Sequence, residues 1–279
     1  MRPWLPRALL LSGLIVSVTL PARPWGNQAH QMVNALAVES LPEPLRSYFR
    51  ARRAYFIERA SEPDELGRED PAERLHHYTD ADAYDHYPFP KLRRQFLLER
   101  HHPTAIERRN GDSIWQIDVL TTRMAEALRR HQWGEADRDA LFAAHYACDL
   151  TQPLHTTQVY DGQMTRQAGI HSRFETELVN ALKESWTLKP QPPTNEADLR
   201  ARIFREFLAS YGERDAVLAA DRKAVAGRTY VDPQYFPAFE KLAGPLAEKR
   251  LESAVSFVSS LWYTAWVRAG KPALPNGSN

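Results

Sequence analysis

The apolar and polar positions along the chain alternate mostly with a helical period. His30 to Leu41 reads as an amphipathic helix with Met32, Val33, Leu36 and Ala37 on one side. Pro42 and Pro44 separate it from a second helix predicted over Leu45 to Ala60. Residues 61–112 lose the periodicity and are rich in Asp, Glu, Pro, His and Tyr, which predicts a long, loop-like region of the kind that carries function. Helical phase returns from Ser113 to Gln132, with Ile114, Ile117, Leu120 and Met124 aligned, and again from Glu135 to Asp149, closed by Pro153. A polar loop with Gly162 and Gly169 fills 156–169, and a helix follows over Ser172 to Trp186. Prolines at 190, 192 and 193 break the chain before two further helical stretches, Asn195 to Val225 and Pro237 to Arg268; the tail from Gly270 to Asn279 is expected to fray. No β-branched alternating run stands out and no repeat or linker divides the chain. The expected fold is all-α, in one domain over residues 25–279.

The first 24 residues follow another pattern. Arg2 and Arg7 precede an apolar run, Ala8 to Leu20, which ends in Pro21-Ala22-Arg23-Pro24. This is the layout of a secretory signal peptide; a membrane anchor is the alternative, although the run is short for a bilayer span. Removal at Trp25 predicts a secreted or periplasmic protein that is not integral to the membrane. It also takes away the positive charges of Arg2, Arg7 and Arg23, so the formal charge falls from +1 to −2. A mildly acidic chain has no broad basic face for duplex nucleic acid, and any affinity for phosphate must come from a local site. The only cysteine, Cys148, forbids an internal disulfide. Stability must then come from core burial or bound metal.

The chemistry concentrates in a few short segments. His145 and Asp149 are spaced i, i+4, which puts an imidazole and a carboxylate on one helix face, a natural pair of zinc ligands. Pro153 then lets His155 turn back toward them. His171 and Glu175 repeat the spacing on the next helix. A third cluster holds His76, His77, Asp80 and Asp82, with Asp64 upstream, and His30 follows Trp25 by five residues. Each piece alone reads more readily as a surface pair or a satisfied core histidine than as a metal site. Together their mix of imidazole and carboxylate suits zinc better than copper or calcium. Cys148 reads as a buried thiol rather than a thiolate ligand, and His76, His86, His101, His102 and His131 as surface or supporting residues.

In order from Trp25 to Glu175, these residues resemble the zinc-dependent phospholipase C and S1/P1 nuclease superfamily. The match consists of Trp25-Gly26 with His30, Asp64, His77-Tyr78-x-Asp80, His145-x3-Asp149-x5-His155 and His171-x3-Glu175. The resemblance implies a helical domain with a trinuclear zinc cleft. Asp64, His77, His145 and Asp149 would hold one Zn2+, and His155, His171 and Glu175 a second. The freed amine and carbonyl of Trp25, with His30 and Asp149, would hold a third, with Asp149 as a bridge. Trp25-Gly26 and Thr151-Gln152-Pro153-Leu154-His155 are similar to the nuclease branch; Gly169-Ile170-His171-Ser172-Arg173-Phe174-Glu175 and the short loop before it are similar to the phospholipase branch. The nucleases often carry disulfides, which this chain cannot form.

By that resemblance the chain is a phosphodiester hydrolase using a metal-activated hydroxide, with Asp64, Asp149 and Arg68 in catalytic roles. Arg68, four residues after Asp64, is suited to clamp a phosphate oxygen, or equally to pair with Glu65 or Glu69. Tyr78 and Asp80 are candidate substrate contacts, and Asp80 could instead orient a ligand imidazole. Tyr84, Tyr87 and Phe89 could stack on a base, line an acyl pocket or simply pack. The leading expectation is a nuclease of single-stranded nucleic acid, followed by a phospholipase C acting on phospholipid head groups, then a zinc-binding protein without catalysis. No stable protein partner is implied.

Overall fold

The computed structural model describes residues 25–100, 102–105 and 107–275. The signal segment, His101 and the last four residues of the tail lie outside the described residues. No strand occurs among those described, and the fold is all-helical. In chain order the helices are α1 (Asn27–Ser40), α2 (Leu45–Ala51), α3 (Arg53–Glu58), α4 (Glu62–Glu69), α5 (Pro71–Arg74), α6 (Pro90–Arg93), α7 (Ser113–Arg129), α8 (Trp133–Thr151), α9 (Ile170–Ser172), α10 (Leu178–Leu182), α11 (Leu199–Val225) and α12 (Tyr235–Arg268). None of them is long and apolar enough to cross a membrane.

Helix α8 is the centre of the bundle, and its composition explains why. From Asp139 to Thr151 every residue is buried, the signature of a helix surrounded on all sides. Ala140, Ala143, Ala144 and Ala147 favour helix intrinsically and keep the girdle narrow, so that α1, α7, α11 and α12 all pack against it. Trp262 of α12 fills space beside α8, its indole donating to the Ala140 carbonyl at 3.0 Å while Phe49 stacks on its face.

The helix expected over Ser172 to Trp186 contains a π turn at Arg173–Glu177 and ends at Leu182, and two earlier stretches depart further from expectation. The helix expected over Leu45 to Ala60 breaks at Arg52, whose guanidinium reaches back to the Tyr48 carbonyl at 3.2 Å and across to Asp137 at 2.9 Å. A charge drawn sideways to partners on two elements overrides the local preference to continue. Residues 61–112 are not a loop but a chain of short turns: α4, α5 and α6, 3-10 turns at 75–77, 81–83 and 107–110, and a π turn at 94–98. The periodicity is weak because no turn buries more than two apolar residues and some bury none; Ala81, Phe89, Leu92 and Phe96 are among the few.

Buried charge ties the long helices together. Arg250 of α12 donates to Glu206 of α11 at 2.6 Å and to the carbonyl of Thr151 at 2.8 Å. Arg202 and Ser253 complete the shell of Glu206, each at 2.7 Å. The guanidinium thus caps the end of α8, two residues beyond Asp149. Arg250→Met should lower the unfolding free energy by about 3 kcal/mol, the penalty of leaving a buried carboxylate and carbonyl underpaired. Urea denaturation with an unchanged m-value tests this, and a loss below about 1 kcal/mol would show the cap to be dispensable.

Candidate metal centre

The site is assembled where regular helix stops. Ala60 lies just past α3, and Pro63, at the start of α4, has no N–H to offer; the Ala60 carbonyl accepts instead from Nδ1 of His145 at 2.8 Å. The carbonyl of His77, in the turn after α5, accepts from Nδ1 of His155 at 2.8 Å. The carbonyl of Tyr160, in the loop between α8 and α9, accepts from Nδ1 of His171 at 2.9 Å. A carbonyl can only accept, so Nδ1 carries a proton in all three rings, Nε2 points inward, and the lone pair of the neutral ring lies on Nε2.

Those inward nitrogens meet carboxylates in two adjoining groups. In the first, His77 Nδ1 lies 2.9 Å from Asp149 Oδ2 and 3.6 Å from Asp64 Oδ1. His145 Nε2 lies 3.4 Å from Asp149 Oδ2, 3.5 Å from Asp64 Oδ1 and 3.2 Å from His77 Nδ1. In the second, His171 Nε2 is 2.9 Å and His155 Nε2 3.4 Å from Glu175 Oε2, with 3.1 Å between the two nitrogens. Donors bound at about 2.0–2.1 Å to a tetrahedral zinc stand roughly 3.3 Å from one another. The separations within both groups, 2.9–3.6 Å in the first and 2.9–3.4 Å in the second, bracket that value. His30 adjoins the first group, stacked on His145 at 3.9 Å between ring centroids and 3.4 Å from the other oxygen of Asp149. The side chains thus form three sets able to hold metal ions: His30 with Asp64 and His145; His77 with His145 and Asp149; and His155 with His171 and Glu175.

The electrostatics agree with a site built for cations. Burial would lift the Asp149 carboxyl, but the charges of His145 and His155 outweigh it and hold it well below the usual carboxylate range. Asp64 is likewise lowered: burial opposes, and His145 prevails. Burial works against the charged form of His145, yet Asp64 and Asp149 push it up to about 9; for His155, Asp149 and Glu175 overcome burial and also bring it to about 9. His30 is lowered by burial and by His145. Several buried polar atoms without a hydrogen-bond partner fall here: His30 Nε2, Asp64 Oδ1, Asp149 Oδ1 and Glu175 Oε1. Orphaned groups concentrated in one place indicate a missing ligand.

The structure therefore brings together His30, Asp64, His77, His145, Asp149, His155, His171 and Glu175. Trp25 stands beside them, fully buried with its ring 5.8 Å from Phe174. The next residue, Gly26, lies so close to Thr176 that a Cβ would come within 3.0 Å of its hydroxyl. Arg68 is exposed on the outer side of α4, in a cleft it shares with Glu58, Glu62 and Glu65, and pairs with neither Glu65 nor Glu69. Tyr78 is half-buried, its hydroxyl 3.4 Å from the Arg109 carbonyl. Asp80 is half-buried too, raised to about 7 by burial and by Asp82, and its carboxylate accepts no hydrogen bond from a described residue. No imidazole of the cluster donates to it; carbonyls hold His145, His155 and His171, and Asp149 faces His30 and His77. Tyr84 and Phe89 pack, while Tyr87 stays exposed. Cys148 is buried in none of the clusters, and burial, then Asp149, keeps its thiol protonated. His76 binds Asp112 at 2.6 Å, and His86, His102 and His131 are exposed.

Sequence reasoning missed Gln152. It is wholly buried, accepts from the Leu154 amide and donates to Glu175 at 3.1 Å, joining the end of α8 to the second group. Its place between Asp149 and His155 was the available signal. No family model and no curated protein matches this chain. Fold and site define it as an all-helical protein whose buried His, Asp and Glu clusters could hold metal ions.

The metal-free protein has a testable pH response. His145 and His155 titrate at about 9 when folded against 6.5 when unfolded. Folding therefore favours their protonated forms, and that stabilisation is complete below about pH 6.5 and lost as pH rises through about 9. A metal ion held by these rings would need them unprotonated, so affinity for an added divalent cation such as zinc is expected to rise over the same window. Melting temperatures of chelator-treated protein should fall between pH 6.5 and 9 while zinc binding tightens and releases protons, read by calorimetry in buffers of different ionisation enthalpy. A flat profile in both would contradict this electrostatic account.

Proposed function

We propose that this chain is an exported zinc-dependent phosphodiester hydrolase acting on single-stranded nucleic acid. The observation that carries the reading is the pair of adjoining donor groups, whose nitrogen and oxygen atoms stand about as far apart as zinc ligands do, joined through His77, which lends Nδ1 to the first and its carbonyl to His155 of the second. Asp64, His77, His145 and Asp149 would hold one ion, His155, His171 and Glu175 another, and His30 with Asp149 and the Trp25 backbone a third. Zinc bound at such positions supplies Lewis acidity toward phosphoryl oxygens and toward water.

The protein's own groups do the rest. The carbonyls of Ala60, His77 and Tyr160 keep three imidazoles aimed inward. Closely packed apolar neighbours exclude water and strengthen every charge interaction in the cluster. Asp80, close enough to His155 for the two to interact electrostatically and with its carboxylate free, is suited to accept from the amide or amino edge of an unpaired base. This favours a nucleic acid, whose base edges carry donors that a choline head group lacks. The phospholipid reading keeps one support, the Gly169 to Glu175 segment with its Glu ligand.

A zinc-replete sample tested at neutral pH on single-stranded DNA, RNA and phosphatidylcholine vesicles should cleave the nucleic acids and lose the activity on chelation. Lipid cleavage alone would reverse the order of the two readings, and inactivity on all three would leave only a zinc-binding protein. At about pH 8, where Asp80, raised to about 7, is largely ionised, Asp80→Asn should raise KM for single-stranded DNA about tenfold, the factor expected from a lost charged hydrogen bond of about 1.5 kcal/mol. An unchanged KM removes Asp80 from substrate recognition.

A further inference from the structure

The segment that carries His171 and Glu175 is held from outside by a fully buried carboxylate. Asp221 of α11 accepts from Tyr235 at 2.5 Å and Arg173 at 3.3 Å on one oxygen, and from Gln167 at 2.7 Å and Tyr230 at 3.0 Å on the other. Arg173 sits midway in sequence between the two ligands, in a π turn over Arg173–Glu177. Its guanidinium donates to the carbonyls of Ala168 at 2.9 Å and Gln167 at 3.1 Å, and lies 4.0 Å over the Tyr230 ring. Gly169 has φ +85°, and a Cβ there would come within 2.7 Å of the guanidinium, so only glycine lets Arg173 fold back onto its own loop.

That loop orients the ligand. Besides the Tyr160 carbonyl on Nδ1 of His171, Asp161 accepts from the His171 amide at 3.2 Å. The far end of the loop, at Gln167 and Ala168, is what Asp221 and Arg173 grip. The grip has no direct contact with the metal cluster, yet both second-group ligands on this segment flank its arginine.

We infer that Asp221 and Arg173 form a positioning clamp for the second metal group, setting the His171 and Glu175 geometry from α11. The inference rests on the metal-binding reading but not on which phosphoester is cleaved. Supporting groups of this kind typically govern ten- to hundredfold in metal affinity.

The test uses the full zinc-loaded chain, its cobalt-substituted form and four proteins: wild type, Asp221→Asn, the milder Tyr230→Phe and Asp137→Asn. The last breaks a comparable carboxylate network, with Tyr48 and Arg52, away from the loop. Asp221→Asn should weaken one zinc ion about ten- to hundredfold in chelator competition and change the visible absorption of one cobalt site, leaving the other sites as in wild type. Tyr230→Phe should shift both readouts in the same direction by less. Asp137→Asn should lower the melting temperature without moving either. The clamp is refuted if Asp221→Asn loses stability as Asp137→Asn does while zinc affinity and cobalt spectrum stay at wild-type values. Should Asp221→Asn not fold, Tyr230→Phe decides alone by the same two readouts. A wild type that binds no zinc ends both this inference and the metal reading. A wild type that binds zinc, responds as described and cleaves no phosphodiester leaves the clamp standing and removes the proposed reaction.

Discussion

An imidazole in a dry interior has two nitrogens to satisfy, and the arrangement of this protein follows from how it satisfies one of them. Three of the clustered histidines donate Nδ1 to a main-chain carbonyl, from Ala60, His77 and Tyr160. That single bond sets the tautomer, fixes the ring plane and turns Nε2 toward the carboxylates. It demands carbonyls that are not already accepting within a helix, so the chain must leave regular structure near the site. The end of α3, the turn after α5 and the loop before α9 are such departures. In a protein otherwise made of long packed helices, these breaks are the positions from which ligands can be aimed.

Aiming alone leaves an electrostatic problem. Nε2 of His155 and Nε2 of His171 face each other at 3.1 Å, with both Nδ1 protons already committed to carbonyls. Two lone pairs at that distance repel unless a proton or a cation lies between them. The rise of His155 to about 9 is the proton's answer, driven by Asp149 and Glu175 against burial. A divalent cation is the stronger answer, because it satisfies both nitrogens and the carboxylate at once and uses lone pairs that a proton can satisfy only singly. The orphaned oxygens of Asp64, Asp149 and Glu175 belong to the same shortage of positive charge.

Some of this was legible in the residues and some was not. The His145/Asp149 spacing survives folding because it depends only on helical geometry over four positions, and the His171/Glu175 pair still converges although its segment runs into a π turn; the apolar phase of α7 and α8, and the prolines that bound α11 and α12, located those helices closely. The break at Arg52 was hidden, since it depends on Asp137 more than eighty positions away. The turns of 61–112 were hidden because short segments lying over a core carry too few apolar residues to show a period. Carbonyl anchors are invisible in principle, as a carbonyl belongs to every residue. Asp221, Glu206 and Arg250 looked like ordinary polar positions on helices, and only the packing of α11 against α12 turns them inward.

The two donor groups do not act independently. Asp149 contributes directly to the first and also supplies the largest attraction felt by His155 in the second. A cation in the first group would neutralise part of that charge and weaken the field that draws a cation to the second. His77 works the other way, since its ring belongs to the first group while its carbonyl holds His155, so ordering one group orders the other. Electrostatics alone would make successive ions bind less tightly, whereas shared positioning would make them bind more tightly. With the backbone anchors already in place, little ordering remains to be gained, and the electrostatic opposition should prevail. The clustered carboxylates Asp64, Asp149 and Glu175 would offset it by placing three negative charges beside the positions that could hold ions, more acid than any single ion's shell would require.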